Sequence, residues 1–204
     1  MLEAIDLAAR RGYARLFSSL SFRVEPGCAL FITGANGTGK TTLLRILAGL
    51  GAPFAGTVRW RGVDVAPFAQ RLREDVVYGG HLPALKDELS AEENLATLVA
   101  LMGETVAPAN LRDALASVSL DRQASLPARA LSQGQRRRLG LARLTLTHRP
   151  LWLLDEPATA LDTAGIALLK RLLTGHLERG GCALVATHQP LELPAAHVRA
   201  LALS

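Results

Sequence analysis

The sequence predicts an α/β fold: a mostly parallel sheet covered by helices, with a helical lobe inserted into it. Three observations carry this expectation. Short apolar runs at Ala29–Thr33, 151–154 and 182–187 have the length and continuity of strands buried on both faces. Stretches with apolar residues at helical spacing follow the first two of them. The segment 88–146 is rich in Ala and Leu with few β-branched runs, and reads as several helices.

Taken in order, Ala29–Thr33 ends in a Gly-rich turn and reads as a buried strand. Residues 41–50 carry Leu43, Leu44, Ile46 and Leu47, a helix closed by Gly49 and Gly51. Helices are expected over 91–102 and 110–118. The second apolar run, 151–154, ends at Asp155-Glu156. Ile166, Leu168, Leu169, Leu172, Leu173 and Leu177 then mark a helix packed on the core, and 182–187 is the third strand. The helical lobe is placed at about 83–138, between core segments of about 1–82 and 139–204, all within one domain. The chain's 204 residues suffice for one domain with a small insertion.

Composition narrows the function classes. Hydrophobic residues make up 49% and charged residues 20%, a compact rather than a disordered balance. The longest charge-free run, Pro26 to Gly39, has 14 residues, below the roughly 18 that a membrane helix needs. The first residues lack a basic n-region and an apolar h-region, so no signal peptide is expected and the chain is placed in the cytosol. The net charge is +5, and 20 of the 23 basic residues are arginine. The only clear cluster is Arg136-Arg137-Arg138, so the excess is read as a solvated surface rather than a nucleic-acid footprint. Cys28 and Cys182 lie far apart in no C-x-x-C pattern, and read as two small buried residues.

Three motifs carry chemistry. Residues 34–41, Gly34-Ala35-Asn36-Gly37-Thr38-Gly39-Lys40-Thr41, fit G-x-x-x-x-G-K-[ST] between a strand and a helix, with Thr42 following. Glycines let backbone N–H groups close around a β-phosphate, and the helix N-terminus adds partial positive charge. Lys40 can bridge β- and γ-phosphates, and the Thr41 hydroxyl can hold Mg²⁺. An acid at the C-terminal end of a buried strand beside that loop completes the metal shell, which is the role expected of Asp155. Glu156 follows, placed to polarise a water in line with the γ-phosphate as general base. The third motif is Leu131-Ser132-Gln133-Gly134-Gln135. Its local logic is a capping box with Ser132 as N-cap and Gln135 three residues on. Three arginines in the first turn then oppose the helix dipole, which points to an anion or to acidic neighbours.

The order of these motifs resembles the nucleotide-binding subunit of ABC transporters. Beyond the phosphate loop, LSQGQ at 131–135 resembles that family's signature, usually LSGGQ. LLDEP from Leu153, about 20 residues later, resembles its Walker B strand. Ala160-Leu161-Asp162 resembles the D-loop, and His188 after a strand the switch histidine. The resemblance covers nearly the whole chain. It implies a P-loop NTPase (RecA-like) core with an inserted α-helical subdomain and an N-terminal antiparallel β portion. It also implies that ATP with Mg²⁺ is sandwiched between the phosphate loop of one copy and Ser132/Gly134 of a second in a head-to-tail dimer. Glu156, Lys40 and His188 are then the catalytic set. Tyr13 is the nearest candidate for stacking on adenine, with Arg11 as the alternative.

A narrower resemblance rests on four features. His81 stands at the Q-loop position, where the family usually has glutamine. The run Thr187-His188-Gln189-Pro190-Leu191, the Leu16–Phe22 segment LFSSLSF and the short chain complete the pattern. They are similar to the ATP-binding subunit of the bacterial haem-handling exporter used in c-type cytochrome maturation. This implies a CcmB-type integral membrane permease and haem-delivery subunits as partners, at the cytoplasmic face of the inner membrane. No haem ligand set is visible in this chain. The competing readings are a transport ATPase with unrelated cargo, a soluble ABC-type ATPase acting on nucleic acid, and a solitary P-loop kinase.

Overall fold

The computed structural model describes residues 1–188, 191–194 and 198–203. In chain order the strands are β1 (Leu2–Arg11), β2 (Ala14–Val24), β3 (Ala29–Thr33), β4 (Ala55–Trp60), β5 (Val63–Asp64), β6 (Val76–Gly79), β7 (Leu151–Asp155), β8 (Cys182–Ala186) and β9 (Val198–Ala202). The helices are α1 (Lys40–Leu47), α2 (Gln70–Asp75), α3 (Ala91–Leu101), α4 (Pro108–Ser117), α5 (Gln133–Ala142) and α6 (Thr163–Glu178). The chain divides into two compact units. The first is Met1–Gly79, Arg149–Pro157 and Leu173–Ser204; the second is Gly80–His148 and Ala158–Leu172. The second unit thus includes residues 139–148 and 158–172 besides the segment 83–138.

The first unit holds two sheets. Five parallel strands lie in the order β6-β7-β8-β3-β9, and four antiparallel strands in the order β2-β1-β4-β5. β7 and β8 are buried at all five positions and β3 at four of five, as parallel strands covered on both faces must be. β1 instead alternates between buried and more exposed positions, the mark of a sheet with one wet face. Leu2, Leu7, Val58 and Trp60 of that sheet share one core with Leu30, Ile32, Leu151, Leu153 and Leu184 of the parallel sheet. Leu43, Leu44 and Leu47 of α1 lie in the same core.

The second unit is helical. Ser90 caps α3, its hydroxyl accepting from Glu93 N while the Glu93 carboxylate accepts from Ser90 N, a complete capping box. The buried Asn94 ties down the segment before this helix. Its Nδ2 donates to the carbonyls of Lys86, Leu89 and Ser90, each at 3.0 Å, and its Oδ1 accepts from Lys86 N at 2.7 Å. Ala91, Leu95, Leu111, Leu115, Leu131, Leu139 and Leu168 form this unit's core.

One histidine in the first unit is part of the packing. The His176 ring stacks on Trp152 with centroids 3.8 Å apart and planes 9° from parallel, and its Nε2 lies 3.1 Å from the Cys182 carbonyl. Burial pulls its pKa from the ordinary 6.5 down to about 4. The unfolded chain therefore takes up a proton at a pH where the folded one does not. The stabilisation is complete above pH 6.5 and is lost as pH falls towards 4, by up to about 3 kcal/mol. Urea unfolding from pH 7 to pH 4.5 is expected to show this decline in the native protein. His176→Gln should flatten it, and an equally steep decline in that variant would refute the assignment.

Candidate functional site: a phosphate loop at the carboxyl edge of the parallel sheet

β3, β7 and β8 run parallel and side by side, so the segments that leave them emerge at one edge of the sheet. Residues 34–39 leave β3 there, Asp155-Glu156 ends β7, and Thr187-His188 follows β8. The loop's conformation demands glycine at two places. Gly34 has φ 146°, and a Cβ would collide with the Leu203 carbonyl. Gly39, at the N-cap of α1, has φ 100°, and a Cβ there would press on Leu16 and Phe17 of β2. No side chain caps α1 and no acid lies in its first turn, so its leading N–H groups stay available to an anion.

The polar side chains of this edge bond to one another. Lys40 is buried, and its Nζ donates to the Gly34 carbonyl at 2.7 Å and the Ala35 carbonyl at 3.1 Å. Thr38 Oγ1 also donates to the Ala35 carbonyl, at 3.0 Å. The Thr41 hydroxyl donates to Asp155 Oδ2 at 2.7 Å, across 114 residues of chain. Asp155 is 2% exposed. Its negative charge adds to burial in pushing the Tyr78 phenol above its usual pKa, burial being the larger cause. Glu156 has φ +49°, an unusual conformation for a non-glycine residue. Its backbone N–H donates to the Ala186 carbonyl at 2.8 Å, and its Oε2 lies 2.9 Å from His188 Nδ1. Glu156 is mostly buried, whereas His188 is exposed. The sequence-derived set Lys40, Thr41, Asp155, Glu156 and His188 is thus drawn together at one edge. The donors at Thr41 and Asp155 are hard oxygens close together, the chemistry Mg²⁺ prefers.

Tyr13 is in a different position. It lies at the tip of the β1–β2 hairpin, fully exposed, while Leu16 and Phe17 of the same hairpin pack on Gly39. The sequence marks those two residues only as part of the LFSSLSF run, not as neighbours of the phosphate loop. The available signal was the apolar pair opening the LFSSLSF run. The Gln189-Pro190 step of the narrower pattern lies outside the described residues.

The second unit carries the remaining motifs. Ser132 is the N-cap of α5, its hydroxyl accepting from Gln135 N at 3.2 Å while Gln135 Oε1 accepts from Ser132 N at 2.8 Å. Ser132 and Gln133 are exposed, Gly134 and Gln135 half-buried. The arginines after them meet acids and carbonyls. Arg136 pairs with Asp87 at 2.6 Å, and Arg137 donates to the carbonyls of Thr159 at 3.3 Å and Gly80 at 3.4 Å. Arg138 lies 3.9 Å from Asp162. Of the two explanations for positive charge in the first turn, acidic neighbours are therefore present. Asp162 also accepts from Gly165 N at 2.8 Å at the start of α6. His81 is exposed.

Comparison with known proteins bears on this arrangement. The family model described as ABC transporter matches residues 17–159. A cytochrome c biogenesis ATP-binding export protein CcmA from Nitrosomonas europaea is 47% identical over 204 residues, covering all of this chain and 96% of the relative. The chain belongs to the ABC transporter family, in its CcmA branch. Its fold agrees with solved ABC proteins. An ABC transporter ATP-binding protein from Pyrococcus furiosus superimposes with a TM-score of 0.84 at 25% identity, over 99% of this chain and 96% of that one. An ATP-binding cassette solved as a dimer in a post-hydrolysis state, bound to ADP and Pi, superimposes with a TM-score of 0.79 at 24% identity. That match covers 93% of this chain and 88% of that one. The expected P-loop core, helical insertion and antiparallel β portion are all present, and the chain is an ABC-type ATPase. Among the described residues, no helix is long and apolar enough to cross a membrane.

Proposed function

We propose that this chain is the ATP-hydrolysing subunit of a membrane complex that exports haem or releases it from a haem chaperone during c-type cytochrome maturation. The observation that carries the enzymatic part is the short bond between Thr41 and Asp155, with Glu156 next in the chain held by His188. The cargo is inferred from the likeness to proteins named for cytochrome c biogenesis.

The backbone N–H groups of residues 34–42 surround the phosphates, and the start of α1 favours their charge. Lys40 exchanges the Gly34 and Ala35 carbonyls for β- and γ-phosphate oxygens. Thr41 and Asp155 are the residues to hold Mg²⁺, which when bound neutralises charge developing on the phosphates. Glu156 accepts the proton of the attacking water. His188, hydrogen-bonded to that carboxylate, orients it and faces the γ-phosphate. Ser132, Gln133, Gly134 and Gln135 of a second copy close the site. Ser132 and Gln133 are exposed at the N-terminus of α5, where the Ser132 hydroxyl hydrogen and the leading helix N–H groups can meet the γ-phosphate. Asp162 and His81 lie in the D-loop and Q-loop, which relay occupancy between copies and to the permease. Leu16 and Phe17 are better placed than Tyr13 to meet the nucleoside, because they already touch the loop. The partners are a second copy, a CcmB-like permease and haem-delivery subunits, and the place of work is the cytoplasmic face of the inner membrane.

Glu156→Gln is expected to bind Mg-ATP as the native chain does, to lose about 10²–10⁴ of its turnover, and to elute as a dimer in Mg-ATP. Monomer under those conditions would contradict the sandwich. Ser132→Arg in one copy should silence the phosphate loop of the other. Hetero-dimers pairing Ser132→Arg with Lys40→Ala distinguish this: both lesions fall on one of the two sites, so one intact site and measurable turnover remain. Loss of both sites would count against shared pockets. Deleting the gene should remove c-type cytochromes from haem-stained gels and spare b-type ones. Normal c-type staining would point to another cargo.

A further inference from the structure

The two cysteines are 154 positions apart in the sequence (182 minus 28) and side by side in the fold. Ala29 of β3 is the register partner of Ala183 of β8, so Cys28 and Cys182 each stand one residue before a paired position. Backbone bonds bracket them: Gly27 N donates to the Gly181 carbonyl at 2.8 Å, and Ala183 N to the Cys28 carbonyl at 3.1 Å. Neighbouring strands lie about 4.8 Å apart, inside the roughly 4.4–6.8 Å Cα separation that a disulfide spans.

The side chains share a face. Leu30 and Ile32, two and four residues after Cys28, line the same core as Leu184 and Ala186, two and four residues after Cys182. Cys182 belongs to that core, and Cys28 packs against it. Both also converge on one acceptor. The Glu25 carbonyl takes a hydrogen bond from Cys28 N at 3.1 Å and from Cys182 Sγ at 3.4 Å. Both thiols are free, and Cys28 is half-buried where burial of both was expected.

We propose that Cys28 and Cys182 are a modification site, joined reversibly as a disulfide by exchange with a low-molecular-weight disulfide such as glutathione disulfide. Cys28 is the more accessible thiol, and burial raises the pKa of Cys182, so Cys28 attacks first. Its thiolate forms a bond to one sulfur of the small disulfide. The small molecule's S–S bond breaks, and one thiol leaves with the proton Cys28 gave up. Cys182, giving its own proton to the second leaving thiol, then attacks Cys28 Sγ and breaks the mixed disulfide. Two protein thiols are oxidised and one small disulfide is reduced to two thiols. The link joins the strand that runs into the phosphate loop to the strand that runs towards His188, at the end remote from both. This inference is independent of the cargo and of the dimer.

The test uses the native full-length chain in glutathione buffers of increasing oxidised fraction, followed by alkylation and non-reducing peptide mapping. The expected product joins the Cys28 and Cys182 peptides of a single chain and is reversed by dithiothreitol. Cys182→Ser should instead accumulate a glutathione adduct on Cys28, and Cys28→Ser should keep a free Cys182. Native chain that holds a persistent glutathione adduct without the link, or that keeps both thiols free at the most oxidising ratio, would overturn the proposal.

Discussion

The parallel register of β7, β8 and β3 is the constraint on which the site depends. Each of these strands is buried almost throughout, so a slip of one residue would exchange every side chain between two packed faces and spoil the fit of both. Asp155 pairs in register with Ala186, and Ile32 with the same Ala186 from the other side. The residues following those positions therefore have to emerge together. Thr41 can reach Asp155 across 114 residues because the register holds, and no local feature of either segment would bring them together.

That dependence explains what could be read from the sequence and what could not. The phosphate loop was legible because its spacing and its strand-to-helix setting are local. So was the Ser132 capping box, which closes within four residues. Asp155 and Glu156 were legible because an apolar run ends on them. The partners of Arg136 and Arg138 were not, since Asp87 and Asp162 lie at separations without a period. The antiparallel sheet was also beyond local reasoning. β1 pairs with β2 and β4 through several register shifts, and Asp6 among them has φ +49°, its backbone N–H donating to the Ser21 hydroxyl fifteen residues away.

The side chains of the phosphate loop that would meet phosphate and metal are hydrogen-bonded within the site. A buried ammonium without acceptors would cost several kcal/mol, and Lys40 avoids that cost through two loop carbonyls. Thr41 and Asp155 satisfy each other in the same way. At Lys40, Thr41 and Asp155 phosphate and metal therefore compete with existing hydrogen bonds, while the leading N–H groups of α1 are open to the anion. For Lys40, net affinity is the difference between ion–ion hydrogen bonds to phosphate and ion–dipole hydrogen bonds to the two carbonyls. The site gains from this exchange because an anion accepts more strongly than a peptide carbonyl, while the backbone cradle is already shaped by Gly34 and Gly39.

The two edges of the parallel sheet carry different demands. At the carboxyl edge, chain segments leave the strands with unusual backbone conformations at Gly34, Gly39 and Glu156, and polar groups gather there. At the amino edge, Gly181 brings its backbone against the His176 ring, which stacks on Trp152, and Cys182 lies in the core. Packing at that edge holds the strands in register with little help from polar bonds between side chains. A covalent tie between Cys28 and Cys182 would act on the same variable, the relative position of β3 and β8, that fixes where the phosphate loop and His188 emerge. The same two strands thus run from the cysteines at one edge to the phosphate loop and His188 at the other, and no residue of the amino edge needs to touch substrate for the register to matter there.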